Sequence, residues 1–136
     1  MMEASLDLQR AIRARLIAAP ALTAAVPAGH ILDRNAGPEL FPCILIGEGQ
    51  ALAGDGLMRT RHEIFLDLHV WADEPGLATA KLICGLIRDT LRDGPWALEA
   101  HHVADAYFQA TRFMRDPDGR HSHAVITLRA HLVEAA

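Results

Sequence analysis

The alternation of apolar and polar residues is sharpest between Arg61 and Trp71, where Ile64, Leu66, Leu68 and Val70 fall on one side and Glu63, Phe65, Asp67, His69 and Trp71 on the other. A period of two marks a strand with one buried face. Asp73-Glu74-Pro75-Gly76 interrupts it, because proline removes a backbone donor and glycine permits a reversal. From Leu77 the period lengthens. Leu77, Ala80, Ile83, Cys84, Ile87 and Leu91 recur every three or four residues and trace one stripe of a helix, with Lys81, Arg88, Asp89 and Arg92 mostly off it. Asp93-Gly94-Pro95 follows, with Gly94 placed as a C-terminal stop.

The same reading extends to both sides. Leu8, Ile12 and Leu16 form a stripe that predicts a first helix over 5–19, with Ser5 as N-cap and Pro20 as its stop. Residues 21–26 allow one further helical turn, and His30-Ile31-Leu32 a short extended piece. Asn35-Ala36-Gly37-Pro38 reads as a turn, and Phe41 to Gly47 as a buried strand with its proline near the start, where a missing donor is tolerated. Val103 to Phe113 alternates more weakly, with Ala104, Ala106, Phe108 and Ala110 assigned to one side. Arg115 to Arg120 is a turn, and Ser122 to Val133 a closing strand with Ala124, Ile126, Leu128, Ala130 and Leu132 on one face. The order is helix, strand, strand, helix, strand, strand. It predicts a single α+β domain over residues 1–136: a largely antiparallel four-stranded sheet with two main helices packed on one face.

Between the first two strands, residues 47–60 contain four glycines together with Leu52, Leu57, Met58 and Arg59. Two readings stand side by side. The strands extend further and these apolar side chains reach the core, or the segment is an arm whose apolar residues are buried by another subunit or by a partner.

Composition narrows the classes. Half of the 136 residues are hydrophobic but only 5% aromatic, which suits an aliphatic, alanine-rich core that folds without metals or disulfides. Cys43 and Cys84 have no paired spacing and are read as buried thiols. No apolar run is long enough to span a membrane and no secretory pattern opens the chain, so the expectation is an intracellular protein without membrane partners. A net charge of −4 lacks the basic face that nucleic-acid binders carry, and Arg10, Arg13 and Arg15 are read as a solvated helix face.

Candidate chemistry does not accumulate. His101 and His102 are adjacent and point to opposite sides of an extended chain, while His121 and His123 share a strand face without a third ligand in sequence. Asp116-Pro117-Asp118-Gly119 lacks the distal ligands of a calcium loop and reads as a β-turn. Gly47-Glu48-Gly49 lacks the third glycine and the helix of a dinucleotide fingerprint, and neither Ser5 nor Ser122 sits in a nucleophile elbow. The expectation is no enzyme, no cofactor and no metal. What stays unexplained is the outward face of the central strand, where Phe65 and Trp71 lie among Glu63 and His69: large amphipathic anchors with polar neighbours, as a subunit interface uses.

The strand His62 to Trp71 with its turn, the alanine-rich helix from Leu77 to Leu91, and Arg112-Phe113-Met114-Arg115-Asp116-Pro117-Asp118-Gly119 before the closing strand resemble the tail-completion, or tail terminator, family of tailed phages and phage-derived gene transfer agents. The opening helix and Pro20 fit as well. The resemblance implies a hexameric ring that caps the tail tube, ends its polymerisation and joins tail to head. Its partners would be copies of itself, the tube protein and a head-side stopper, with DNA passing through the lumen unbound. Such a subunit is cytoplasmic during assembly and afterwards part of the particle. On that basis Phe65, Trp71, His69 and Glu63 are the expected subunit interface, and Leu52, Leu57, Met58 and Arg59 the expected contact to tube or neighbour. The alternatives are a small histidine-using metal-binding protein or enzyme, and another head–tail connector such as a stopper or adaptor.

Overall fold

The computed structural model describes residues 2–34 and 38–136. The turn expected at Asn35-Ala36-Gly37-Pro38 rests on residues 35–37, outside the described residues. Helix α1 (Ala4–Ile17) is followed by a short α2 (Pro20–Ala25), a 3-10 turn over Ala28–His30, and strands β1 (Ile31–Leu32), β2 (Cys43–Ala53) and β3 (Arg61–Ala72). Helix α3 (Ala78–Leu91) leads into β4 (His101–Arg115) and β5 (Ser122–Glu134).

The class is α+β, but among the described residues the sheet has five strands and the helices number three, so the expected four-stranded sheet with two helices is corrected in detail. The strand order is β1-β2-β3-β5-β4. The fifth strand is the two-residue β1, which pairs parallel with β2 through Ile31–Ile44 and Leu32–Leu45. Every other pairing is antiparallel. α3 carries the chain from β3 over β5 to the far edge, and β5 returns to fill the gap.

The central strands behave as their alternation dictates. Ile64, Leu66, Leu68 and Val70 of β3, and Ala124, Ile126, Leu128, Ala130 and Leu132 of β5, are buried on the helix side of the sheet. They meet Leu8, Ile12 and Leu16 of α1 and Ala80, Ile83, Cys84, Ile87 and Leu91 of α3 in one core. Leu68 is fully buried, so Leu68→Ala is expected to lose about 3–5 kcal/mol through lost transfer energy and the void left behind. Urea denaturation measures it, and a loss under 1 kcal/mol would mean that the core closes over the gap.

Side chains on loops set the helix ends. Glu3, not Ser5, caps α1: its carboxylate accepts from Ser5 N at 2.8 Å and Leu6 N at 3.1 Å. Pro20 opens α2 at its first turn, where its missing N–H is an orphan in any case, instead of only stopping α1. Glu74 caps α3 by accepting from Thr79 N and Ala80 N, both at 2.9 Å, and also accepts the Ser122 hydroxyl at 2.7 Å, which pins the helix start to the beginning of β5. At the other end Arg15 of α1 donates to Thr90 O at 2.7 Å and to Asp93 O, so a cation rather than Gly94 satisfies the last carbonyls of α3. Gly94 has no left-handed backbone.

Two strands depart from the expected pattern because bulges reset their faces. In β4 the register shifts between Val103 and Asp105 and again between Phe108 and Ala110. Each extra residue exchanges the two faces beyond it. The side that shares β5's core face is therefore Val103, Ala106, Phe108, Thr111 and Phe113, not the expected Ala104, Ala106, Phe108 and Ala110. In β2 the shift falls between Ile46 and Gly49, where Gly47 and Glu48 together stand opposite Asp67.

Candidate functional site

The β2 bulge begins the part of the molecule that leaves the core. Past it, Gln50, Leu52 and their neighbours still pair with β3, at Phe65 and Glu63, but β2 is exposed from Glu48 onward. The strands therefore do extend into the 47–60 segment, while its apolar residues do not reach the core. Leu52 is 39% exposed, Leu57 96% and Met58 82%. The result is an ordered β-ribbon arm whose tip, residues 54–60, presents two apolar side chains to solvent. Backbone geometry fixes that tip: Gly54 N donates to Arg61 O at 2.9 Å, and both Gly56 and Arg59 have positive φ, at 113° and 58°. A left-handed arginine is strained relative to glycine, which marks the turn as specified.

The outward sheet face divides into two halves. Near the arm, Arg129 of β5 lies over the Phe65 ring at 5.3 Å and reaches the Glu63 carboxylate at 2.5 Å, while Thr127 donates to Asp67 at 2.7 Å. Phe65 and Glu63 are half-buried under this cross-strand network, not laid open as a bare patch. At the far end the His123 ring stacks on Trp71 at 3.8 Å with an interplanar angle of 9°, and on His69 at 5.1 Å. His69 Nδ1 is 2.8 Å from His123 Nε2, and its Nε2 is 3.4 Å from Glu48 Oε2. The Glu48 carboxylate accepts from His69 Nε2, and one proton lies between the two facing ring nitrogens. Gly47 makes room for it, since an added Cβ would lie 2.5 Å from His69 Cδ2.

These rings floor one side of a cleft of about 540 Å³, which Leu45, Glu48, Asp33 and Arg34 complete. Of the residues expected at an interface, Trp71 and His69 belong to the cleft and Phe65 and Glu63 do not. His123, Glu48 and the 33–34 segment were not expected there. Period-two alternation placed His123 opposite the core, but only the pairing of Trp71 with both Cys43 and His123 shows which rings meet.

His123 is pushed down to about 4, first by burial and then by the positive charge of His69, with Arg112 adding to the effect and Asp116 opposing it. An unfolded histidine titrates near 6.5, so below that pH unfolding takes up a proton that the folded state refuses. Stability is expected to fall from about pH 6.5 towards pH 4, by at most roughly 3 kcal/mol from this group. Urea midpoints at pH 7 and pH 5 should separate less in His123→Gln than in the wild type; equal separations would remove His123 as the cause.

The other histidines lie elsewhere. His101 points inward and its Nδ1 lies 2.7 Å from Asp7 Oδ2 in a pair almost wholly shielded from solvent, whereas His102 points out and is exposed. His121 immediately precedes β5, and its ring stacks on Phe41 at 4.3 Å on the side of the sheet that carries His123. Its Nδ1 is 2.6 Å from Asp118, and Asp116, Asp118 and His121 bring ligand atoms within 4.8 Å of one another. The first two are engaged by the turn itself, since Asp118 N donates to Asp116 Oδ2 at 3.3 Å and Arg120 N to Asp118 Oδ1 at 2.7 Å. The β-turn expected at 116–119 is present, with Gly119 at φ 73°.

The outer face and the arm thus offer surfaces for docking. Residues 10–132 match the family model for tail completion protein gp17, and the chain belongs to that family. It is a structural tail protein and not an enzyme. Among solved structures it is similar to a chain of the virion of a native gene transfer agent particle, at 22% identity and a TM-score of 0.80, covering 99% of this chain and all of that one. It is also similar to the gp17 protein of bacteriophage SPP1, at 23% identity and a TM-score of 0.61, covering 93% and 89% respectively. These likenesses establish the shared fold. No curated protein matches the chain. Among the described residues no helix is long and apolar enough to cross a membrane.

Proposed function

We propose that the chain, a single domain, assembles as a ring of six on the end of a tail tube, stops tube growth there and offers the surface to which the head-side connector docks. The observation that carries this reading is the ordered arm. A ribbon that holds Leu57 and Met58 at 96% and 82% exposure keeps apolar surface in water for which its own fold has no use, and a neighbour or the tube would cover it. A closed ring needs two different surfaces per subunit, and the outer sheet face with Trp71 is the second candidate. The number six follows from the family resemblance. A net charge of −4 suits a lumen that lets DNA pass without holding it. The subunit would be made in the cytoplasm and end in the particle.

The test is the mass of the purified protein by light scattering, alone and with tail tube added. A sixfold mass in either condition supports the reading; a monomer in both overturns it. A ring of another size would transfer the chain to a stopper or adaptor role.

A further inference from the structure

We infer that the Leu57–Met58 tip of one copy seats in the outer-face cleft beside Trp71 of the next copy. The inference rests on the ring reading and goes beyond it by naming both halves of the contact.

Four observations carry it. The tip is a shaped knob: two large apolar side chains on a turn fixed by positive φ at Gly56 and Arg59. The cleft is a matching hole of about 540 Å³, ample for two side chains, with Leu45 and the Trp71, His69 and His123 rings among its walls. A methionine thioether packs well against aromatic rings, and the stacked Trp71 and His123 rings both line the cleft. The rims are complementary in charge. Arg59 and Arg61 flank the knob, and Asp33 and Glu48 stand at the hole; Asp55 on the knob side answers Arg34 on the other. Asp33 also accepts from Gln9, and Arg34 lies 3.5 Å from Glu39, both at the solvent-exposed surface where a second partner can share them.

Topology makes the contact intermolecular. Both features lie along β3, which leaves the arm at Arg61 and enters the cleft at His69 and Trp71. Ten residues of extended chain separate Arg61 from Trp71, about 30 Å, so one copy cannot fill its own cleft. A knob at one end and a hole at the other pair head to tail, which is the heterologous contact that closes into a ring.

The test introduces Met58→Cys and Glu48→Cys together and treats the purified protein, with tail tube present, with a short bismaleimide. Native Cys43 and Cys84 are buried and stay out of the reaction. The expected result is a covalent ladder reaching the full ring, with a peptide linking positions 58 and 48 by mass spectrometry, and no ladder in either single variant. A ring that forms without that link overturns this contact and leaves the ring standing. A monomer in wild type and variants alike overturns both. A charge exchange gives an independent readout: Arg59→Glu should weaken assembly at least tenfold and Glu48→Lys should restore it in the double variant. Absence of rescue also counts against the contact.

Discussion

Asp7→Ala should cost the fold about 3–5 kcal/mol, the scale for taking a buried carboxylate away from three donors that point at it. Asp7 is 1% exposed on α1 and its two oxygens accept from Glu99 N at 2.9 Å, Ala100 N at 2.8 Å and the His101 ring at 2.7 Å. With the exposed Arg10–Glu99 ion pair at 3.7 Å, these bonds tie α1 to the start of β4, and alanine would leave two backbone donors and an imidazole without partners in a site that water does not reach. In a domain of this size the loss corresponds to a melting temperature lower by roughly 10 °C or more. Burial pushes the Asp7 carboxyl up, but the bonds from His101, Glu99 and Ala100 outweigh it and hold it below the usual carboxylate value. The ionised Asp7 carboxylate therefore contributes fully above the unfolded value near 4, and its contribution is lost as pH falls through the lower folded value. Thermal melts of the wild type and Asp7→Asn between pH 7 and pH 3 should show the wild type's advantage shrinking at the acid end. A variant as stable as the wild type at pH 7 would mean that the three donors find other partners.

The second large effect separates assembly from folding. Leu57→Asp combined with Met58→Asp is expected to abolish the ring and to leave the monomer's melting temperature nearly unchanged, since both side chains stand in solvent and exposed substitutions usually shift stability by under about 0.5 kcal/mol. A charged residue at Trp71 is a blunter probe. It would remove the stack with His123 along with any neighbour, so lost assembly would come with lost stability. Light scattering and circular dichroism on the same samples decide the matter, and a double variant that still forms rings at wild-type concentration would remove the arm from the interface.

What could be read from sequence follows the depth of burial on each side of a strand. β3 and β5 are bonded on both sides and buried on one face only, so their alternation is unbroken and both faces were legible residue by residue. β4 has a free edge and two bulges, and a bulge leaves no mark in composition; Ala104 and Gln109 look like any other strand residues. β2 lost its alternation for the opposite reason, because beyond Gly47 neither face is covered and nothing selects apolar against polar. The Gly-Glu-Gly run that failed as a dinucleotide fingerprint is where the ribbon bends and where the His69 ring needs a side chain to be absent. For the site, Trp71, His69 and the arm residues stood out as apolar or aromatic groups without a core to join. Glu48, Asp33 and His123 are joined to them only by the pairing of β2, β3 and β5, which no short-range pattern encodes.

That pairing also decides how the subunit would bear load. β3 is at once the second rail of the arm and the middle strand of the core, paired with β5 along its whole length from Arg61–Val133 to Ala72–Ser122. A pull on the arm along the strand direction therefore acts in shear on a full ladder of hydrogen bonds, with β2 sharing it on the other side, instead of unzipping the bonds one after another. A loop with the same two apolar residues at its tip would give way at its roots. In this chain, tension at Leu57 is delivered to the buried side chains of the sheet, the part of the molecule with the most to lose by moving.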